Sequence, residues 1–175
     1  GNLTEVVRLI SEGADLRTAA GEDGFSALHY AAEAGHVSVV SSLLAAAADL
    51  HGTTPAGSEP VNLAAVAGHA AVVELLVSHD PDVIQSAGGP LKSWPMHAAA
   101  ANGDERLLAF MAGRGADLQV QGADGFTPLH IGVTNGHLAA VDFLLQRRAS
   151  PVVADAGGLA PIHEAARGGL PSIAE

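Results

Sequence analysis

The segment DGFTPLHIGVTNGH, residues 124–137, has an earlier copy in the same chain, DGFSALHYAAEAGH, at residues 23–36. Each copy carries two histidines seven residues apart, at His29 and His36 and at His130 and His137. That spacing places two imidazoles on one face of a helix. Two interpretations follow: a metal site that is made twice, or a structural element that has been duplicated. Duplication predicts further copies in the same phase, so the rest of the chain decides between the two.

The first histidine of the pair marks a repeat that runs through the chain. Its position is occupied in turn by His29, Asn62, His97, His130 and His163, at steps of 33, 35, 33 and 33 residues. Glycine recurs in a matching phase, at Gly1, Gly35, Gly68, Gly103, Gly136 and Gly169. Apolar residues then follow on one helical face, for example Val39, Val40, Leu43 and Leu44. Each repeat is therefore expected to contain two helices separated by a glycine turn.

The spacing within the repeat shows which part is packed and which part is a loop. The distance from the histidine position to a GAD-like position is 20 residues in every case: His29 to Asp49, Asn62 to Asp82, His97 to Asp117, and His130 to Ser150. The distance onward to the next histidine position varies from 13 to 15 residues. An insertion would rotate the apolar face of a packed helix, whereas a surface loop absorbs it at little cost. We therefore predict two packed helices followed by a projecting loop.

These features resemble ankyrin repeats. The TPLH segment at Thr127–His130, its relatives SALH, WPMH and APIH, and the period near 33 are that family's signature. The resemblance implies an all-α, ankyrin-type helix–turn–helix solenoid with projecting β-hairpin-like finger loops. The expected boundaries are partial repeats at 1–20 and 155–175 and full repeats at 21–53, 54–88, 89–121 and 122–154. Because both ends fall inside a repeat, we expect a single array that is a fragment of a longer chain.

The nine histidines of the chain are best explained as parts of this scaffold. Seven of them fall in phase, four at the TPLH position and three, His36, His69 and His137, after the glycine between the helices. The resemblance implies that the TPLH imidazole forms hydrogen bonds with the capping hydroxyl and with nearby backbone. A zinc site would need converging ligands and a second shell, which the pattern does not offer. We therefore predict no metal, no cofactor and no enzyme activity.

The composition excludes several other classes of function. A net charge of −11 argues against nucleic acid or an anionic membrane as the main partner. The most apolar segment, Val61–Val77, contains Asn62, Gly68, His69 and Glu74, so we predict two buried helices rather than direct membrane insertion. There is no cysteine and no secretory signal pattern at the N-terminus. We expect an intracellular, cytoplasmic protein, although these residues alone do not determine the compartment.

The resemblance implies that partner proteins bind on the concave side that is formed by finger tips and first helices, which gives a set of candidate contacts. They are Phe25, Glu33, Ser58, Val66, Ser93, Trp94, Asn102, Phe126, Thr134, Asn135 and Arg167. For Trp94 and the two phenylalanines, packing within the repeat is the alternative role. The leading hypothesis is a protein-interaction scaffold. The alternative is a regulatory or targeting segment of a larger enzyme or membrane channel, with other domains of the same longer chain as its partners.

Overall fold

A computed structural model of the protein describes residues 2–18, 23–89 and 94–168. Within these ranges the chain forms ten α-helices and one 3₁₀ helix, Pro81–Gln85, and no β-strand. The α-helices are α1 Leu3–Ser11, α2 Ala27–Glu33, α3 Val37–Ala45, α4 Pro60–Val66, α5 Ala70–His79, α6 Pro95–Asn102, α7 Glu105–Gly113, α8 Pro128–Thr134, α9 Leu138–Gln146 and α10 Pro161–Gly168. The predicted all-α repeat fold is confirmed.

The chain divides into two compact units, Gly1–Gly89 and Pro90–Glu175. In the first unit, the first helices α2 and α4 pack on each other, and the second helices α1, α3 and α5 pack side by side. In the second unit, α6, α8 and α10 form the row of first helices, and α7 packs on α9. Each unit is therefore a stack of helix–turn–helix repeats, as the spacing predicts.

The core lies between the helices of neighbouring repeats. The apolar sets of the second helices are buried, including Val39, Val40, Leu43 and Leu44 in α3 and Val72, Val73, Leu76 and Val77 in α5. Small residues such as Ala64 and Ala65 are fully buried in the first helices and allow close approach. Helices of seven to ten residues are marginal alone in water, so this burial is what stabilises them.

Four of the second helices, α1, α3, α7 and α9, are followed by a residue with left-handed backbone, whereas Asp80 after α5 is extended. Gly13 and Gly115 occupy this position with φ of 85° and 89°. The same position in two other repeats holds Ala47 and Arg148, with φ of 61° and 67°. A side chain at positive φ costs free energy that glycine avoids, so these two repeats end their second helices under strain.

The fingers close as short hairpins where the structure describes them. The amide of Thr54 donates to the carbonyl of Ser58 at 3.0 Å, and the same bond joins Gly122 to Phe126 at 3.0 Å. The finger that precedes α6 differs, since it begins with the 3₁₀ helix, in which Val83 and Ile84 are buried. Ser93 and the neighbouring residues 90–92 of this longer finger lie outside the described residues.

Candidate protein-interaction surface

The imidazoles of His29, His97 and His130 each join their own first helix to the next finger along the chain. Nδ1 of His130 accepts the backbone N–H of Thr127 at 3.0 Å, and its Nε2 donates to the carbonyl of Leu159 at 3.1 Å. His29 makes the same pair of bonds with Ser26 at 3.1 Å and with Ser58 at 3.2 Å. The two bonds fix the neutral tautomer with its proton on Nε2. These imidazoles therefore connect adjacent repeats.

Burial changes the acid–base behaviour of two of these rings. Burial lowers the pKa of His29, and it also lowers the pKa of His97, more strongly than the accepting carbonyls at Ser58 and Phe126 raise it. A proton added to Nδ1 would face the backbone N–H that this atom now accepts. Among the described residues there is no group of three or more His, Asp or Glu side chains that could hold a metal ion. The hydrogen bonds of His29, His130 and His137 make these imidazoles parts of the scaffold.

Asn62 replaces the histidine in the second repeat and keeps both of its hydrogen bonds. Its Oδ1 accepts the backbone N–H of Glu59 at 2.8 Å, and its Nδ2 donates to the carbonyl of Ser86 at 2.8 Å. The side chain of Asn62 is shorter than that of histidine, but it forms the equivalent pair of hydrogen bonds. Ser86 lies 24 residues from Asn62, whereas the imidazoles bond carbonyls 29 residues away.

The second set of histidines contacts the glycine turn of the preceding repeat. A Cβ placed on Gly35 would lie 2.6 Å from Nδ1 of His69, and a Cβ on Gly103 would lie 2.7 Å from Nδ1 of His137. His137 also donates from Nε2 to the carbonyl of Ala101 at 2.9 Å. Gly35 and Gly103 are thus required for their positive φ and for the space that they leave to an imidazole.

The candidate contacts of the first unit differ in exposure: two are exposed and two are half-buried. Glu33 and Val66 are exposed near the ends of α2 and α4, the two packed first helices, and Val66 has 66% of its surface exposed. Phe25 is half-buried, and its ring centroid lies 5.6 Å from that of His29 and 5.1 Å from that of Tyr30. Ser58 is half-buried and its carbonyl already accepts from His29.

The aromatic candidates of the second unit also have contacts within their repeats. Phe126 is half-buried and stacks on His130, with 5.4 Å between centroids and 12° between the ring planes. Trp94 is the residue that precedes α6, and its backbone N–H donates to Nδ1 of His97 at 3.1 Å. The indole N–H of Trp94 is buried without a hydrogen-bond partner among the described residues. Both rings therefore pack in the scaffold, whether or not they also contact a partner.

The remaining candidates of the second unit lie at the ends of its first helices. Asn102, Thr134, Asn135 and Arg167 are all exposed. Thr134 donates from Oγ1 to Oε2 of Glu164 at 2.5 Å, and Oε1 of the same carboxylate lies 4.0 Å from the guanidinium of Arg167. Thr134, Glu164 and Arg167 line a cleft of about 170 Å³. Asn135 donates from Nδ2 to the carbonyl of Ala101 at 3.1 Å, which fixes its position along the row.

Two polar groups are not singled out by the repeat pattern. Glu164 contacts both Thr134 and Arg167. In the sequence it could have been found as a carboxylate at a repeat position where the other first helices carry apolar residues: Leu63 in α4, Ala98 in α6 and Ile131 in α8. His51 lies between two acids, with Nε2 3.0 Å from Oδ2 of Asp80 and Nδ1 3.5 Å from Oε2 of Glu59. The hydrogen bond to Asp80 raises the pKa of His51 and lowers that of Asp80.

Comparison with known proteins agrees with this geometry. Residues 1–87 match the family described as Ankyrin repeats (3 copies), and residues 96–145 match Ankyrin repeats (many copies). The chain therefore belongs to the ankyrin-repeat family, whose repeats generally mediate protein–protein interaction rather than catalysis.

One curated protein is similar over much of the chain: Target of rapamycin complex 2 subunit AVO2 of Saccharomyces cerevisiae, which is 33% identical over 130 residues. The match covers 73% of this chain and 30% of that protein, so the chain corresponds to less than a third of its relative. A search of the described residues finds no helix that is both long enough and apolar enough to cross a membrane.

Proposed function

We propose that this protein is an interaction scaffold that binds a partner protein along its first helices and finger tips. The observation that carries the proposal is that each unit exposes a row of side chains at the ends of its first helices: Glu33 and Val66 in one unit, and Asn102, Thr134 and Arg167 in the other. The imidazoles and glycines are occupied in holding repeats together, whereas these side chains vary in chemistry from repeat to repeat. Varied side chains on a repeated frame give a surface that can be specific for one partner.

The chemistry of the row indicates what kind of partner fits. Val66 offers an apolar contact, and the cleft offers the Thr134 hydroxyl hydrogen-bonded to the Glu164 carboxylate, with the Arg167 guanidinium 4.0 Å from the same carboxylate. A partner loop or helix with one apolar anchor and a few polar side chains would match such a mixed surface. The relative's description as a subunit of a complex supports a role in assembly, and we include an intracellular location in the proposal.

Site-specific crosslinking tests this proposal. A photoreactive amino acid is placed at Val66 and, in a second version, at Val152, an equally apolar residue that is 71% exposed in the loop after α9. In an extract of the source cells, the proposal expects one or a few proteins to crosslink from position 66 and not from position 152. If both positions capture the same set of proteins, contact with the first-helix row is not specific and the proposal is wrong.

Charge variants then test the second unit's share of the surface. Arg167→Ala is expected to weaken binding of the captured partner, whereas the matched variant Arg147→Ala, at the exposed end of α9, is expected to leave it unchanged. Circular dichroism on both variants shows whether the fold is retained. Equal loss from both variants would point to a general effect of net charge rather than to a contact at the cleft.

A further inference from the structure

Two arginine–phenylalanine pairs occur at the C-terminal ends of the second helices α7 and α9. At the end of α7, the guanidinium carbon of Arg114 lies 4.6 Å from the ring centroid of Phe110. At the end of α9, the guanidinium carbon of Arg147 lies 5.1 Å from the ring centroid of Phe143. The two pairs are 33 residues apart and so occupy the same positions of their repeats. The equivalent positions in the other unit hold Ser42 and Ala46 at α3 and Leu75 and His79 at α5. The pairs therefore do not follow from the repeat pattern.

The packing of these two helices places the arginines side by side. Helix α7 packs on α9, and the axes of packed helices are about 8–10 Å apart, so the backbones of Arg114 and Arg147 are separated by about that distance. Arg148, the next residue in the chain, adds a third guanidinium. All three arginines are exposed, and none forms an ion pair with a carboxylate in the part of the chain that the structure describes. They form a positive patch on a chain whose net charge is −11.

Stabilisation of the helix ends does not account for this patch. The backbone N–H groups of residues 114–116 already donate to carbonyls in the last turn of α7, and those of residues 147–149 do the same in α9. The helix dipoles contribute about half a negative charge at each of the two ends. Three guanidinium groups exceed that charge, so a positive charge of about two remains for a ligand.

The third arginine is retained at a cost in backbone strain. Arg148 has φ of 67°, whereas the same position of the preceding repeat holds Gly115 with φ of 89°. A side chain at positive φ costs free energy that glycine avoids. Residues held in strained conformations are often found at functional sites. A guanidinium beside Arg147 gives Arg148 such a role.

We propose that Arg114, Arg147 and Arg148, which we name the arginine surface, bind an extended acidic segment of a partner protein. A guanidinium is planar, and its fork of N–H donors matches the two oxygens of a carboxylate. A phenylalanine ring beneath one face of the guanidinium holds that plane and leaves the donors at its edge free. Carboxylates three residues apart in an extended chain are about 10 Å apart, which matches the separation of Arg114 and Arg147.

The charge of the whole chain favours a short acidic segment over a long polyanion. A net charge of −11 repels nucleic acid and anionic membranes, whose negative charge extends far beyond three guanidinium groups. A short segment contacts the positive patch alone. The arginine surface lies on the second helices, so it adds a binding surface to the proposed scaffold and does not depend on contacts along the first-helix row.

Fluorescence anisotropy with a synthetic peptide tests the proposal. The probe is a fluorescein-labelled Gly-Ser peptide in which every third residue is glutamate, and the control peptide carries glutamine at those positions. Both are titrated with the whole chain. We expect the glutamate peptide to bind several-fold more tightly at low salt and this preference to shrink as salt screens the charges. Equal affinities, or no binding of either peptide, would overturn the proposal.

Substitutions of single arginines locate the bound peptide. Arg147→Gln is expected to weaken binding of the glutamate peptide several-fold, and so is Arg147→Lys, which keeps the charge but loses the planar fork. Arg167→Gln in α10 changes the net charge equally and is expected to leave binding unchanged. Equal losses from Arg147→Gln and Arg167→Gln would mean a general effect of net charge and would overturn the assignment. Full affinity in Arg147→Lys would overturn the carboxylate–guanidinium geometry.

Glycine variants separate binding from stability. Arg148→Gly is expected to raise Tm and to weaken binding of the glutamate peptide, because it removes backbone strain and a guanidinium together. Ala47→Gly relieves strain at the same position of another repeat and is expected to raise Tm without any change in binding. If Arg148→Gly binds the peptide as tightly as the parent, the place of Arg148 in the arginine surface is wrong.

A single-stranded oligonucleotide with the same net charge as the glutamate peptide tests the competing class of partner. Weaker binding of the oligonucleotide supports a protein segment as the ligand. Tighter binding that Arg147→Gln reduces would make a nucleic acid the ligand and would overturn the acidic-segment proposal. Crosslinking from position 66 is expected to be the same in Arg147→Gln as in the parent, so a failure here and a failure of the proposed scaffold function give different results.

Discussion

Gly88 lies directly against Asn62, so that a Cβ on Gly88 would be 2.4 Å from Cγ of Asn62. The close approach follows from the short side chain of Asn62. Because the amide reaches less far than an imidazole, the loop must come closer for Ser86 to accept its hydrogen bond at 2.8 Å. The departure of the second repeat from the family pattern is thus compensated within its own finger.

The close approach of Gly88 to Asn62 predicts that replacing Asn62 by the family's histidine will destabilise this protein. Asn62→His places a larger ring in space that Gly88 and Ser86 already fill, and we expect it to lower the free energy of unfolding by about 1–3 kcal/mol. Denaturant unfolding measures this change. Gly88→Ala is expected to act in the same direction, since its Cβ meets the same side chain. A histidine variant as stable as the parent would show that the loop moves freely and that the close approach is not a constraint.

Relief of backbone strain at the ends of α3 and α9 predicts two stabilising substitutions. Ala47→Gly and Arg148→Gly remove a side chain from positive φ, at positions where α1 and α7 are followed by Gly13 and Gly115. The gain is reduced by the greater freedom of glycine in the unfolded chain, so we expect about 0.5–1 kcal/mol at each site.

The control for these variants is a glycine at an exposed site inside a helix. Ser41→Gly in α3, where φ is not positive, should destabilise by about 0.5–1 kcal/mol. Thermal unfolding of all three proteins compares the signs. If Ala47→Gly and Arg148→Gly also destabilise, the positive φ is not strained enough to exceed the entropy of glycine.

Acid is expected to weaken the hydrogen bonds by which the buried imidazoles of His29 and His97 connect adjacent repeats. The pKa values of His29 and His97 are lower in the folded chain than the value of about 6.5 of a free imidazole. Their contribution to stability is therefore complete above about pH 6.5 and is lost as the pH falls toward the folded-state values. His51 acts in the opposite sense, because its pKa is raised and its contribution is lost as the pH rises through that value.

Denaturant unfolding between pH 5 and 8 measures this dependence. His29→Gln removes one titrating group, so the variant should be less stable at neutral pH but should lose less stability on acidification. A steeper loss in acid for His29→Gln than for the parent would contradict the lowered pKa.

Two leucines at the same repeat position differ in burial, which predicts that replacing them by alanine will destabilise the fold to different extents. Leu144 in α9 is fully buried, whereas Leu9 in α1, at the same position of its repeat, is 42% exposed. We expect Leu144→Ala to destabilise by about 2–5 kcal/mol and Leu9→Ala by less than about 1 kcal/mol. Equal costs, measured by denaturant unfolding, would mean that α1 is covered in the folded protein.

The fold was predictable from the sequence because it depends on a repeated pattern. The 20-residue constant part, Thr127 and Ser26 as capping residues, and the positive φ of Gly35 and Gly68 all follow from local chemistry that recurs in phase. The compensation at Gly88 was not predictable, because it depends on how closely one loop approaches one side chain. Likewise, Glu164 joins Thr134 only through the contact of two first helices, which no local pattern encodes.

The phenylalanines that follow Asp-Gly in two fingers combine packing with a proposed contact role, and the two roles predict different measurements. Phe126 stacks on His130 and is half-buried, so Phe126→Gln should cost about 1–2 kcal/mol of stability while the chain stays folded at room temperature. If the ring also contacts the partner, affinity for the captured partner should fall in addition, because an aromatic anchor is lost.

Phe110→Gln is the control, since Phe110 is also half-buried but lies in the second helix α7, beneath Arg114. Calorimetric titration of both folded variants separates the roles: a loss of affinity confined to Phe126→Gln supports a contact, and an equal effect of both variants shows that Phe126 only packs.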